Sequence, residues 1–209
     1  MRVAVISNAE QKEEMLTKQT NKDVELIFIK DIAEMEMDES FEIVFFLGEI
    51  PKDFNRKLYF EKHIFINSVI ETLEQKKFPK NYSRINAWPG FLKRPVWEVA
   101  SQDKIITSQI FDAIGWKVLF VKDEPGFVAA RVFGMIINEA FFALEEGVST
   151  EEEMDLAMKL GTNYPFGPFE WARKIGIGNI FHLLNTLSKK DKRFAIAPLL
   201  SRKFLELSA

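Results

Sequence analysis

The chain contains no cysteine and only two histidines, His63 and His182. Without cysteine, disulfides, thiolate metal sites and cysteine nucleophiles are excluded. Neither histidine has acidic residues nearby at the spacing of metal ligands, so a histidine-based metal centre is not expected. The formal net charge is only −3, which gives no electrostatic reason to expect binding to nucleic acid.

Long hydrophobic runs are also missing. No stretch approaches the roughly 18 consecutive apolar residues that indicate a membrane-spanning helix. The apolar stretch at residues 2–6 is too short for a signal peptide. We therefore expect a cytoplasmic protein without membrane contact. The chain is nevertheless 47% hydrophobic and holds 20 phenylalanines, which is enough for one large core or two smaller ones.

Short apolar runs recur through the first half and are separated by polar or helical segments. They comprise residues 2–6, 24–29, 43–47, 63–67, 96–99 and 117–121. This alternation is typical of βαβ units and predicts a mostly parallel sheet. Residues 103–114 have helical spacing, and Gly115 predicts where that helix ends. A further helix is expected over residues 69–75, with Ser68 as its N-cap.

The second half has a helical pattern. Pro125-Gly126 interrupts the chain, and helical spacing then continues over residues 127–146. In this long helix, Glu139 stands among apolar residues and is expected to bond a neighbouring backbone group. A capping box of Thr150 and Glu153 predicts the start of a second helix, which Gly161 is expected to end. More helices are expected over residues 169–175, 179–187 and 199–207. These patterns indicate an α/β domain, residues 1–122, followed by an all-α domain, residues 123–209.

Several motifs, taken together, resemble a known enzyme family. They are VKDEPGFVAAR at residues 121–131, NEA at 138–140, EEGVS at 145–149, MDLAMKLG at 154–161 and YPFGPFE at 164–170. In this order and spacing they resemble the helical C-terminal domain of 3-hydroxyacyl-CoA and 3-hydroxybutyryl-CoA dehydrogenases. The resemblance covers roughly residues 85–200. It implies a reduced Rossmann-like sheet followed by a helical dehydrogenase-type domain.

Family members hold NAD at a glycine-rich turn after the first strand. Glycine is needed there because a Cβ atom would block the approach of the pyrophosphate to the backbone. The three glycine positions fall at Ser7, Ala9 and Lys12, and Glu10 adds a negative charge near the expected phosphates. Asp31, after the second strand, is the candidate for contact with a ribose. The sequence therefore predicts no cofactor; if the family activity is retained, Ser7, Ala9 and Asp31 would face NAD.

The resemblance also implies a catalytic pair, in which a glutamate orients a histidine base. Glu98 matches the position of the glutamate. Counting back from Glu98 puts Asn86 at the histidine position, whereas counting from Pro89 puts Ile85 there. Neither side chain can take up a proton near neutral pH, although the Asn86 amide can donate a hydrogen bond to a carbonyl.

Two further residues stand at substrate-binding positions of the family. Ser68 is the one hydroxyl that remains from an upstream serine and threonine cluster. Ala130 replaces an asparagine that contacts the substrate oxygen.

Three hypotheses follow. In the first, the protein is a catalytically reduced relative, a pseudoenzyme, that binds an acyl-CoA and forms a homodimer through its C-terminal helical domain. In the second, it is an active NAD-dependent 3-hydroxyacyl-CoA oxidoreductase in which Glu98 replaces the missing base. In the third, it is a dimeric interaction protein without enzymatic activity.

Overall fold

The computed structural model describes residues 1–30, 40–48 and 61–208. The chain divides into two compact units, Met1–Phe127 and Val128–Ala209. The predicted boundary near Asp123 lies shortly before this division. The first unit has the expected α/β architecture, and the second has the expected all-α architecture.

The first unit is built on one seven-stranded sheet. Its strands are β1 Arg2–Ile6, β2 Glu25–Ile29, β3 Ile43–Phe46, β4 His63–Asn67, β5 Tyr82–Ile85, β6 Val96–Ser101 and β7 Lys117–Phe120. They lie in the order β2-β1-β3-β4-β5-β6-β7. All neighbours are parallel except β5 and β6, which are antiparallel. The predicted mostly parallel, Rossmann-like sheet is thereby confirmed.

Both faces of the sheet are buried at the central strands β1, β3 and β4. On β1, Val3 and Val5 enter one hydrophobic cluster, while Ala4 and Ile6 enter another. The first cluster also contains residues of α1, Ala9–Leu16, and of α2, Lys104–Ile114. Each large apolar side chain that becomes fully buried contributes about 1.5–3 kcal/mol. Because neither face of these central strands meets water, β1, β3 and β4 are largely continuous apolar runs rather than alternating ones.

The order of the strands creates a topological switch point. The chain passes from β1 to β2 on one side and then to β3 on the other side of β1. Open α/β sheets bind ligands at the carboxyl ends of the strands beside such a point. A functional site is therefore expected at the carboxyl ends of β1 and β3.

The helix predicted over residues 69–75 is wrong, because turns occupy this segment. The Ser68 hydroxyl donates to the carbonyl of Glu71 at 2.8 Å instead of accepting from a helical N–H. The carbonyls of Ser68 and Val69 accept hydrogen bonds from Arg84, and Gly126 N also donates to Val69. These distant partners replace the bonds that would have begun a helix.

The second unit is helical. Its helices are α3 Ala129–Glu145, α4 Glu151–Thr162, α5 Pro168–Ile175, α6 Ile177–Ser188 and α7 Pro198–Ser208, with a 3₁₀ turn at Lys192–Phe194. The predicted capping box is confirmed, since Thr150 and Glu153 exchange side-chain to backbone hydrogen bonds. In the part of the chain that the structure describes, no helix combines the length and hydrophobicity needed to cross a bilayer.

The expectation for Glu139 is wrong, because its neighbour makes the backbone contacts. Glu139 is exposed, whereas Asn138 is buried. Asn138 Nδ2 donates to Ala195 O at 2.8 Å, and Asn138 Oδ1 accepts from Ala197 N at 2.9 Å. The amide suits this position because it can donate and accept at once, which a carboxylate cannot do.

His63 begins β4 and lines a surface cavity of about 270 Å³ at the amino ends of the strands. Burial lowers the pKa of His63 from its usual 6.5, and the charge of Asp103 opposes this shift to a smaller extent. The unfolded chain therefore binds the proton more readily than the folded chain. The contribution of neutral His63 to stability is complete above about pH 6.5 and is lost as the pH falls towards its lowered pKa.

We accordingly expect the free energy of unfolding to fall between about pH 7.5 and about pH 5.5, partly through His63. Urea unfolding of the wild type and of His63→Gln at both pH values checks this. The variant carries no titrating group at this position, so its decrease should be smaller. Equal decreases in the two proteins would contradict the assignment to His63.

Candidate functional site

The N-terminus of α1 lies directly after β1, at the switch point. Asn8 is the N-cap, and its Oδ1 accepts from Gln11 N at 2.8 Å. In return, Gln11 Oε1 accepts from Asn8 N at 3.1 Å. This reciprocal capping box uses side chains of the protein to bind N–H groups at the start of the helix.

The rest of the Gln11 amide closes a ring of hydrogen bonds across the carboxyl ends of the strands. Gln11 Nε2 donates to Leu47 O at 2.9 Å and to Ala87 O at 3.3 Å. Asn67 Nδ2 donates to the same Leu47 carbonyl at 3.1 Å, and Asn67 Oδ1 accepts from Ala87 N at 3.0 Å. Gln11 is only 6% exposed. Polar groups of the chain thus bond one another at the point where sheets of this type bind ligands.

This arrangement does not fit the diphosphate of a dinucleotide. Such a group requires exposed N–H donors at the helix N-terminus and glycines that let it approach the backbone. Here Gln11 N and Asn8 N bond to side chains, and Glu10 adds a negative charge to the first turn. A diphosphate would have to displace the buried Gln11 amide from its partners and approach an anionic first turn.

A polar stripe on α1 holds the segment of residues 87–94 against the helix. Gln11 bonds to Ala87, as described above, and one turn later the Glu14 carboxylate accepts from Gly90 N and Leu92 N. Beyond the C-terminal end of α1, Lys18 Nζ donates to Arg94 O at 2.8 Å. The spacing of three residues places Gln11 and Glu14 on one face of the helix. This face positions the loop that follows Asn86.

Asn86 directly follows β5, and Glu98 lies on β6 one residue beyond the last recorded pair of their ladder. The antiparallel ladder pairs Arg84 with Ala100 and Ile85 with Val99. Continuing that register by one residue brings Asn86 to the position opposite Glu98. Directly opposed residues point to the same face, with Cβ atoms about 4.5–5.5 Å apart. Both candidates for the histidine position are buried, since Ile85 is 0% exposed in the hydrophobic core and Asn86 is 7% exposed.

Arg84 stabilises the chain beside this pair. Its side chain is completely buried and forms an ion pair with Asp123. Its Nε donates to Ser68 O at 2.7 Å and its Nη2 to Val69 O at 3.1 Å. The pKa of Arg84 is lowered, because the effect of burial is larger than the opposing effects of the hydrogen bond and charge of Asp123. Arg84 therefore connects the end of β4 with the segment that leads out of the first unit.

The sequence-predicted site residues have different surroundings. Ser7, which is half-buried, and Ala9, which is exposed, lie at the turn between β1 and α1. Ser68 follows β4, and Asp31 lies outside the described residues. Ala130 belongs to α3 in the second unit, where its methyl group is fully buried.

Three residues of this region were not predicted from the sequence, namely Gln11, Asn67 and Arg84. The capping pattern Asn8-x-x-Gln11 is a local signal that identifies Gln11. Asn67 and Arg84 have no such signal, because their partners are 15 to 40 residues away. Among the described residues, no group of three or more acidic or histidine side chains could hold a metal ion.

Comparison with known proteins shows that the second unit is similar in sequence to one kind of dehydrogenase domain. Residues 126–208 match the family "3-hydroxyacyl-CoA dehydrogenase, C-terminal domain". A 3-hydroxyadipyl-CoA dehydrogenase of Escherichia coli is 41% identical over 93 residues, which are 44% of this chain and 20% of that protein. A 3-hydroxybutyryl-CoA dehydrogenase of Clostridioides difficile is 38% identical over 84 residues, 39% of this chain and 30% of that protein. The matched part of the chain thus spans less than a third of either relative.

Solved structures extend the likeness of the fold to nearly the whole chain. The crystal structure of (S)-3-hydroxybutyryl-CoA dehydrogenase from Ralstonia eutropha superposes with a TM-score of 0.70 at 18% identity. The superposition covers 99% of this chain and 94% of that one. At this level of identity the match shows a common fold, a parallel sheet followed by a helical domain.

Proposed function

Residues 126–208 match the family "3-hydroxyacyl-CoA dehydrogenase, C-terminal domain", and from this match we propose that the protein binds an acyl-CoA thioester without normal NAD-dependent catalysis. The observation that carries the proposal is the closed ring of hydrogen bonds at the switch point. Because the Gln11 amide bonds to Leu47 and Ala87 there, a dinucleotide has no ready site. The features of the family that this chain keeps are the helical domain and, at the positions of the catalytic pair, Asn86 and Glu98.

The pair lacks the imidazole that, in the family, exchanges a proton with the substrate oxygen. An amide does not titrate near neutral pH, so Asn86 cannot act as the general base that a histidine would provide. It can still donate a hydrogen bond to a carbonyl or hydroxyl oxygen. Binding without rapid turnover is the behaviour that these residues support best.

We expect calorimetric titration of the full chain to detect binding of acetoacetyl-CoA and no binding of NADH. Gln11→Ala removes the amide at the switch point and is the matched variant. If the amide is what excludes the diphosphate, NADH affinity should rise in the variant while acetoacetyl-CoA affinity stays the same. NADH oxidation by the wild type with acetoacetyl-CoA, above a buffer blank, would instead support an active dehydrogenase. If neither ligand binds at about millimolar concentration, the binding proposal is wrong.

The proposal includes a homodimer through the helical unit. Val128 and Val132 at the start of α3 are 54% and 50% exposed, and Leu156 and Leu160 on α4 are 54% and 79% exposed. Exposed apolar side chains that recur at helical spacing are typical of interaction surfaces, and the family resemblance makes a second copy the expected partner. Light scattering should give twice the mass of one chain, and Leu160→Glu should reduce it. A monomeric wild type would contradict this part of the proposal.

A further inference from the structure

A cavity lies at the amino ends of the strands, at the opposite end of the sheet from the switch point. It is the cavity of about 270 Å³ that His63 lines. One wall is a face of α2, formed by Ile106, Gln109, Ile110 and Ala113, which recur at the spacing of a single helical face. Pockets for drug-sized ligands usually have roughly 300–1,000 Å³. An occupant of this cavity is therefore a small molecule with an apolar body.

The His63 ring gives this cavity a hydrogen-bonding group that the described part of the chain leaves unused. Its Nε2 is buried and has no hydrogen-bond partner among the described residues. Burial lowers the pKa of His63, so the ring is neutral near pH 7, with one nitrogen that accepts a hydrogen bond and one that donates. A half-turn about χ2, a torsion with two broad wells, exchanges the positions of ring nitrogens and carbons. A ligand N–H in the cavity can therefore supply a bond that the ring lacks.

The charges around the cavity favour a cation. Glu42 and Glu61 line it, and both residues are exposed. Asp103, the N-cap of α2, raises the pKa of the imidazole through its negative charge. Met1 also lines the cavity, and its ammonium group donates to Asp23 O at 2.6 Å. The three carboxylates outnumber this single positive charge, so a cationic ligand is attracted and an anionic one repelled.

We propose that this cavity is a binding site for a small organic amine. The ammonium group donates to the neutral His63 ring in the field of Glu42 and Glu61. The carbon chain packs against Ile106 and Ile110 on the wall that α2 forms. The site is independent of the proposed acyl-CoA function, because it lies at the other end of the strands and uses none of the same residues.

Proton NMR of the full chain with 3-methylbutylamine and with 4-methylpentanoate tests the site. The two probes carry the same branched carbon chain and opposite charges at about pH 7.5. The chain has only two histidines, and His182, exposed on α6, is the internal reference. We expect the amine to shift the ring signal of His63 alone, with a Kd of about 1 mM, and the carboxylate to bind at least about tenfold more weakly. No saturable shift of His63 below about 50 mM, or equal affinity for the two probes, would overturn the proposal.

Two variants test the residues that form the site. His63→Phe keeps an aromatic ring and removes both nitrogens, whereas Ala113→Leu fills the cavity from α2 with another good helix former. Saturation-transfer NMR of the amine's methyl protons should show an affinity reduced about tenfold or more in each. His182→Phe is the matched control; it should bind the amine as the wild type does, and it assigns the remaining histidine signal to His63. Unchanged affinity in either variant contradicts the proposal, and Ala113→Leu decides the question alone if His63→Phe does not fold.

Discussion

Replacing Gly167 with alanine should lower the free energy of unfolding of the second unit by about 3 kcal/mol, as overpacking of a rigid contact does. A Cβ atom at this position would lie well inside van der Waals distance of the Asp155 Cα and of its carboxylate. Rotation of a side chain cannot relieve a clash with a Cα atom. The φ angle of Gly167 is −75°, so the requirement for glycine is one of space and not of backbone conformation.

The clash would also disturb the start of α5. Asp155 is 4% exposed, and its Oδ1 accepts from Phe169 N at 2.8 Å. Its Oδ2 accepts from Glu170 N at 3.2 Å and pairs with Arg173 at 3.1 Å. The carboxylate thus binds the N–H groups at the N-terminus of α5, where a negative charge is stabilising. Any shift that makes room for the added methyl group would lengthen these hydrogen bonds.

Gly161→Ala is the control for this prediction. Gly161 lies within α4, and no atom lies within 4 Å of the position that its Cβ would take. Alanine is favoured over glycine by up to about 1 kcal/mol inside a helix, so this variant should be neutral or more stable. Urea unfolding followed by circular dichroism measures both. Similar stabilities for Gly167→Ala and Gly161→Ala would show that the contact with Asp155 can relax.

Replacing Arg84 with methionine should destabilise the first unit by about 3 kcal/mol, because it removes one partner of a buried ion pair. Methionine keeps much of the apolar volume and removes the guanidinium. The Ser68 carbonyl would lose its hydrogen bond from Arg84, the Val69 carbonyl would keep only the one from Gly126 N, and Asp123 would lose its cation. The Phe127 ring, 4.6 Å from the guanidinium carbon, would lose a cation–π contact.

Arg202→Met provides the comparison for Arg84→Met. Arg202 pairs with Glu145 at 2.7 Å, and its side chain is 56% exposed. Exposed ion pairs contribute about 0–1 kcal/mol, so the loss should be small. Chemical unfolding of both variants measures the difference. Equal losses would mean that the interactions of Arg84 contribute little beyond an ordinary surface pair.

Local apolar runs predicted every strand of the described sheet except β5. The run at residues 2–6 became β1 because its side chains are apolar on both faces, which suits a strand covered on both sides. Helix α2 ends at Gly115, whose φ of 91° lies in the left-handed region that glycine adopts easily. β5 was not predicted, because its sequence Tyr82–Ile85 contains serine and arginine. Ser83 and Arg84 can be buried in this strand only because they form hydrogen bonds with residues elsewhere in the chain.

The amino-acid sequence by itself determined the class of each half, the capping of α4 and the kinship of residues 126–208, because these depend on periodicity, short-range hydrogen bonds and motif order. Only the tertiary structure decided that Gln11 bridges Leu47 and Ala87, that Arg84 binds Asp123, and that Ile85 pairs with Val99 in the β5–β6 ladder. These relations join residues that are 14 to 76 positions apart in the chain. Their geometry follows from the order and register of the strands, which local sequence patterns do not specify.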